Sequence, residues 1–130
     1  MADKKTRYKI PGGVKEEARK GRTLRTMHGY GGGKVTKAIN YRLRVQKDVG
    51  YRTAVKIDTY YRRHEDVDPK GENFDNRKQP SKGLIMWKMM GGNSGHSWSK
   101  RLKKSLDVIQ KVERLNKINR TLEEIHGMVR

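Results

Sequence analysis

Apolar residues fall along the chain in five groups with helical spacing, separated by glycine-rich or charged turns. The first follows Pro11-Gly12-Gly13 and runs from Val14 to about Met27, where His28-Gly29-Tyr30-Gly31-Gly32-Gly33 ends it. Val14, Ala18, Gly21, Leu24 and Met27 share one face of it, and Lys15, Arg19, Arg22 and Arg25 fall away from that face. A second helix is predicted from Val35 to about Gln46, with a broad apolar side of Val35, Ala38, Ile39, Tyr41, Leu43 and Val45, and Lys47-Asp48-Val49-Gly50 makes a turn after it. The third, Tyr51 to Glu65, is two-sided. Ala54, Ile57 and Tyr61 face the core, while Arg52, Lys56, Thr59 and Arg63, at spacings of four, three and four, line the opposite side.

The fourth group lies in "PSKGLIMWKMMGGNSGHSW", Pro80 to Trp98, which holds both tryptophans. Ser81 is placed to cap a short helix whose Leu84, Ile85, Met86, Trp87, Met89 and Met90 surround it on nearly all sides, and a helix apolar all round is a buried one. This segment therefore reads as the plug of the core before it reads as an aromatic platform for stacked bases. Gly91-Gly92-Asn93-Ser94-Gly95 breaks the pattern. From Ser97 to about His126, Trp98, Leu102, Leu106, Ile109, Val112, Leu115, Ile118, Leu122 and Ile125 then recur every three or four residues, which predicts one helix about 45 Å long. Its last stretch has the three-four-three spacing of a coiled-coil seam, but two heptads do not demand one. Packing along the chain's own core is the default expectation, with self-association or docking to a partner helix as the alternative.

These elements predict an all-α fold, a small helical domain with a helix-turn-helix-like pair and a long C-terminal helix. A chain of 130 residues with 32% hydrophobic content holds one modest core. The single domain, 1–130, divides into a basic flexible N-terminus (1–13), a basic helical part (14–64), an acidic loop (65–79) and the Trp/Met helix with the long C-terminal helix (80–130). The absence of cysteine excludes disulfides and thiolate metal sites and suits a reducing compartment. No apolar run approaches the roughly 20 residues of a bilayer span, and "MADKKTRYKIPGG" lacks the apolar centre of a signal peptide, so a soluble, non-secreted chain is expected.

Charge points to a partner. Thirty-two Lys and Arg stand against 14 Asp and Glu, a net +18. The excess is uneven: residues 1–63 hold 18 basic and 5 acidic side chains, residues 64–79 hold 3 and 5, and residues 80–130 hold 11 and 4. Self-repulsion at this density favours a polyanion, and basic stripes are the electrostatic footprint of nucleic acid. The candidate contacts are Arg19, Arg22, Lys34, Lys37, Arg52, Thr53, Lys56, Arg63, Lys100, Arg101 and Lys104. In a helix-turn-helix reading of the second and third helices, Tyr51, Arg52, Thr53 and Lys56 would read base edges; a helical bundle with a solvated basic face gives the same pattern.

Other chemistry finds little support. "GYGGGKVT" fails the nucleotide P-loop, because Val35 follows Lys34 where Ser or Thr is needed and His28 stands at the first glycine position. It reads as a flexible connector, with the weaker option that the amides opening the second helix hold one phosphate with Lys34. Asp66, Asp68, Glu72 and Asp75 do not give the spacing of a calcium loop, so no metal or other cofactor is expected. His64 beside Glu65 lacks a nucleophile or a second histidine to act with. No enzymatic activity is expected, and a divalent-ion nuclease using the acidic loop ranks last.

"YYRRHE", an acidic stretch and then "PSKGLIMWKMMGGNSGHSW" resemble a P-S-x-G-x-I-x-W-x-x-x-G-G-x-x-G-x-x-W element found in small basic domains of unassigned activity encoded by tailed bacteriophages. With "IPGGVKEEARKG" and "HGYGGGKVTKA" the resemblance covers most of residues 10–98; Asn93 stands where that pattern has aspartate. The resemblance implies a phage origin, a host-cytoplasmic or virion location, and no enzyme. The function expected is non-enzymatic binding of nucleic acid, DNA ahead of RNA, mainly through the phosphate backbone. The alternative is a virion or assembly component, or a small factor that binds an acidic host protein.

Overall fold

Five helices form where the apolar groups predict them. In the computed structural model, which describes residues 3–66 and 80–129, these are α1 (Gly12–His28), α2 (Lys34–Val45), α3 (Tyr51–His64), α4 (Lys82–Met89) and α5 (Gly92–Val129). The fold is all-α apart from a short antiparallel pairing of β1 (Tyr8–Lys9) with β2 (Asp48–Val49). No described helix is long and apolar enough to cross a membrane. The predicted acidic loop lies outside the described residues from position 67 onward.

The core is built around α1, which packs on α2, α4 and α5, while α3 packs mainly on α5. Helix α4 is as buried as its composition requires. Leu84, Ile85, Trp87 and Met89 are all inside, and the Ser81 hydroxyl accepts from the Leu84 amide at 3.0 Å to cap it. Its closest neighbour is α1 at Gly21, where a Cβ would stand 2.6 Å from the Lys88 carbonyl carbon and also collide with the Met89 main chain. Only a residue without a side chain permits that approach. Asn40 of α2 locks the crossing: its amide donates to the Ala18 carbonyl and to the Met89 carbonyl, both at 2.9 Å, and its oxygen accepts from Arg44 Nε at 2.8 Å.

Around Trp87 the aromatic rings interlock. Tyr61 meets it edge-on with centroids 4.8 Å apart, His96 lies 5.1 Å away, and the indole N–H donates to Asn93 Oδ1 at 3.0 Å. Tyr61 donates its hydroxyl to the Gly92 carbonyl at 2.9 Å, and burial pushes its phenol well above the ordinary pKa. Both tryptophans are buried, so this segment is the plug of the core and not a platform for bases.

Several expectations change. Gly92-Asn93-Ser94-Gly95 does not interrupt the helices but forms the first turn of α5; the reversal is made by Gly91 and Gly92 alone, whose φ values of 119° and 61° suit glycine. The connector 29–33 is packed. Arg25 Nε donates to the Gly31 carbonyl at 2.8 Å, the Tyr30 hydroxyl donates to the Pro80 carbonyl at 2.6 Å, and Gly31 lies against Ile85. Within the segment expected to be flexible, residues 7–10 are tied down. Tyr8 and Lys9 pair with Val49 and Asp48, the Ile10 amide donates to the Lys47 carbonyl at 3.0 Å, and Ile10 is buried. The turn at 47–50 thus carries β2. In α2 the buried face is Thr36, Ile39, Asn40 and Leu43, leaving Val35, Ala38, Tyr41 and Val45 exposed, and Met27 of α1 is exposed as well. The C-terminal part of α5 does not pack along the core: every described residue from Glu113 to Met128 is exposed.

The α1–α4 crossing predicts an asymmetric response to added methyl groups. Gly21→Ala should destabilise the protein by about 1–3 kcal/mol or more, because main chain cannot move aside as a side chain tip can. Gly12→Ala, where nothing lies within 4 Å, should be neutral or stabilising by under about 1 kcal/mol. Urea midpoints of the two variants measure the difference.

Candidate nucleic-acid interface

Helix α3 presents its cations as the spacing predicts. Arg52, Lys56 and Arg63 are exposed on the side away from Ala54, Ile57 and Tyr61, and Lys56 and Arg63 stand two turns apart, about 10.5 Å along the axis. Together with Thr59 they form one wall of an open groove of about 260 Å³ between α3 and α2. Val35, Thr36 and Ile39 of α2 form the other wall, Met90 lies beneath, and the Tyr60 and His64 rings, stacked 4.6 Å apart, complete the α3 side. Helix, turn and helix follow one another here, but α2 and α3 leave this groove between them and pack chiefly on α1 and α5 respectively.

Thr53 does not belong to the interface. It is 8% exposed and faces inward, because it lies four residues before Ile57 and so shares the core face. Tyr51 is half-buried against the core, with Lys4 above its ring. Of the four residues expected to read base edges, Arg52 and Lys56 alone stand exposed.

The remaining candidates are exposed on three other helices: Arg19 and Arg22 on α1, Lys34 and Lys37 in the first turn of α2, and Lys100, Arg101 and Lys104 on α5. The structure brings Lys56 and Arg63 to one groove and leaves the others on their own helices. Lys34 and Lys37 stand where α2 opens at Gly33 without a side-chain cap. None of the described helices carries an acid in its first turn.

Among the described residues none of these ten cations pairs with a carboxylate. The acids engage other cations: Asp48 holds Arg7 at 2.7 Å, Glu17 holds Lys88 at 3.1 Å, Asp58 holds Arg62 at 2.8 Å, Glu16 and Glu17 both approach Lys20, and Glu113 pairs with Lys4. Burial raises the Asp58 carboxyl above its ordinary pKa, against the pull of Arg62 and Lys103. Glu65 is lowered, first by its hydrogen bond to His96 at 2.7 Å and further by the charges of Lys100 and Lys103. Lys100 therefore stands close enough to a carboxylate to feel it. Lys103, in the sequence one of a basic cluster with Lys100, Arg101 and Lys104 but not among the candidate contacts, acts on both Asp58 and Glu65, and the Tyr60–His64 stack was not singled out, although its four-residue spacing was there to read.

Among the described residues no group of three or more potential metal ligands is clustered, and Asp68, Glu72 and Asp75 lie outside them. Comparison of the chain with protein-family models gives no match, and neither a curated protein nor a solved structure matches it.

Asp58 offers a measurable consequence. A carboxyl whose folded pKa is raised favours the fold while protonated and loses that contribution as pH rises through the folded value. Asp58→Asn should raise stability at pH 7, and this advantage should shrink as pH falls below the folded pKa of Asp58. Urea titrations of both proteins at pH 7 and in the acid range check the sign.

Proposed function

We propose that the protein binds nucleic acid without catalysing a reaction, holding the phosphate backbone with Arg52, Lys56 and Arg63 of α3 and with Arg19, Arg22, Lys34, Lys37, Lys100, Arg101 and Lys104 around them. One observation carries this reading: ten exposed cations lack carboxylate partners among the described residues, while described acids pair with other cations. Some of the acids are taken up at seams between elements, Asp48 with Arg7 and Glu17 with Lys88, and others by cations of their own helix, Glu16 with Lys20 and Asp58 with Arg62. The field of the remaining cations draws in a polyanion and gains from counterion release. DNA is the preferred polymer, a phage origin follows from the sequence resemblance, and the site of action is the host cytoplasm or the virion.

A second reading, docking on an acidic host or virion protein, is favoured by Val35, more than half exposed on the α2 wall of the groove, and by Tyr41 and Val45, more than half exposed elsewhere on α2. A basic rim next to apolar side chains suits an acidic amphipathic segment.

Fluorescence anisotropy with labelled duplex DNA, single-stranded DNA and RNA across a salt series tests the proposal. Binding should weaken linearly on a log–log salt plot, and replacing Arg52, Lys56 and Arg63 together by Gln should reduce the slope by up to about 2.7 if each contacts one phosphate of duplex DNA. Lys20→Gln, which removes a cation already facing Glu16 and Glu17, should change it little. Retardation that vanishes near physiological salt for all three polymers would favour the protein partner, and an unchanged triple variant would remove α3 from the interface.

A further inference from the structure

The outward side of α2 sets one aromatic ring among cations. Lys34, Lys37, Tyr41 and Arg44 follow one another at spacings of three, four and three, which places them on one stripe over about 15 Å of helix axis. Lys34, Lys37 and Tyr41 are exposed, and Arg44 is half-buried where the stripe borders the core side at Asn40. Tyr41 is 57% exposed, whereas every other described tyrosine and both tryptophans are buried or half-buried. The ring is also held. The Arg44 guanidinium lies over it, 5.8 Å from its centroid, and Arg44 Nε donates to Asn40 Oδ1 at 2.8 Å. Asn40 is itself fixed in the core by its bonds to the Ala18 and Met89 carbonyls, so a buried amide positions the arginine that packs on this surface ring.

We infer that Tyr41 and Arg44 form a platform on which an unpaired base of single-stranded nucleic acid stacks, with Lys34 and Lys37 on the phosphates beside it. The inference rests on the nucleic-acid reading above and adds the form of the polymer. Aromatic rings and guanidinium planes are the side-chain surfaces on which splayed bases stack, and one of each stands here in contact with the other. A base inside a duplex has both faces covered by its neighbours and offers none to the ring. The charge around the platform has one sign. No acid occurs between Glu17 and Asp48, and those two are engaged by Lys88 and Arg7. An acidic amphipathic protein segment would need a continuous apolar strip to lie on, whereas along this stripe Tyr41 stands between Lys37 and Arg44.

Anisotropy titrations of the full chain with three labelled strands of equal length and charge test the inference: single-stranded DNA, single-stranded RNA, and a DNA strand lacking its bases. A strand with bases should bind at least about fivefold tighter than the abasic strand, and the tighter of the two sugars names the polymer. Tyr41→Leu, which keeps an apolar side chain but has no ring, should erase that gap, and Tyr41→Phe should keep it. Both variants should melt with the parent protein, since Tyr41 lies outside the core. The salt slope of Tyr41→Leu should equal that of the parent, because no phosphate contact is lost. Equal affinity for strands with and without bases, a gap that survives Tyr41→Leu, or one abolished by Tyr41→Phe would each overturn the inference while leaving salt-dependent binding through phosphates intact. Absence of binding to every strand and to duplex DNA at low salt would remove both readings and leave the acidic protein partner.

Discussion

The crossing of α1 and α4 is the constraint on which the rest of the structure depends. Helix α4 is apolar around most of its circumference, so it must be largely enclosed, and the helix that encloses it most closely does so main chain to main chain at Gly21. That approach creates carbonyls with no room for water, and the Asn40 amide satisfies two of them, one from each helix. A leucine at position 40 would extend the apolar surface of α2 and leave the Ala18 and Met89 carbonyls without this donor. The polar residue at the centre of the α2 face is thus what allows three helices to meet at one point.

Compactness of this kind has an electrostatic consequence. Both tryptophans, Tyr60 and Tyr61 belong to one core cluster of aromatic and aliphatic side chains. The cations are left on the surface, where repulsion among them adds to the entropy that opposes the fold. Three of the described acids make contacts where elements join. Arg7–Asp48 fastens the N-terminal strand, Lys88–Glu17 fastens α4 to α1, and His96–Glu65 fastens α5 to the end of α3. A polyanion laid over the remaining cations would relieve that repulsion, so binding and folding are linked in the same direction.

Much of this was legible in the sequence. Four of the five helices begin within two residues of their predicted positions, because proline, glycine and a capping serine mark helix starts by local backbone chemistry. The burial of α4 followed from its all-round apolar character. What escaped was set by tertiary packing. Thr36 and Asn40 are polar yet central to the buried face of α2, so a reading that ranks faces by hydrophobicity turned that helix toward Val35, Tyr41 and Val45. Thr53 was assigned to the outer face of α3 by its place near the helix start, although its four-residue distance from Ile57 put it inside. The pairing of β1 with β2 is two residues long and leaves no alternation to detect.

Helix α5 shows how a single element can serve two surfaces. Read as a simple succession of threes and fours, its apolar residues suggest one face running the length of the helix. The uninterrupted threes from Leu106 to Ile118 say otherwise, since a stripe that follows them must wind around the axis. The N-terminal half is therefore committed to the core, and the C-terminal half is free to present Leu115 through Ile125 elsewhere. Lys100 and Lys104 lie on the outward side too, eleven or more residues before Leu115, which is at least about 16 Å along the axis. The basic patch near the start of α5 and the apolar seam near its end thus share the outward side of one helix, separated by its length and not by a hinge.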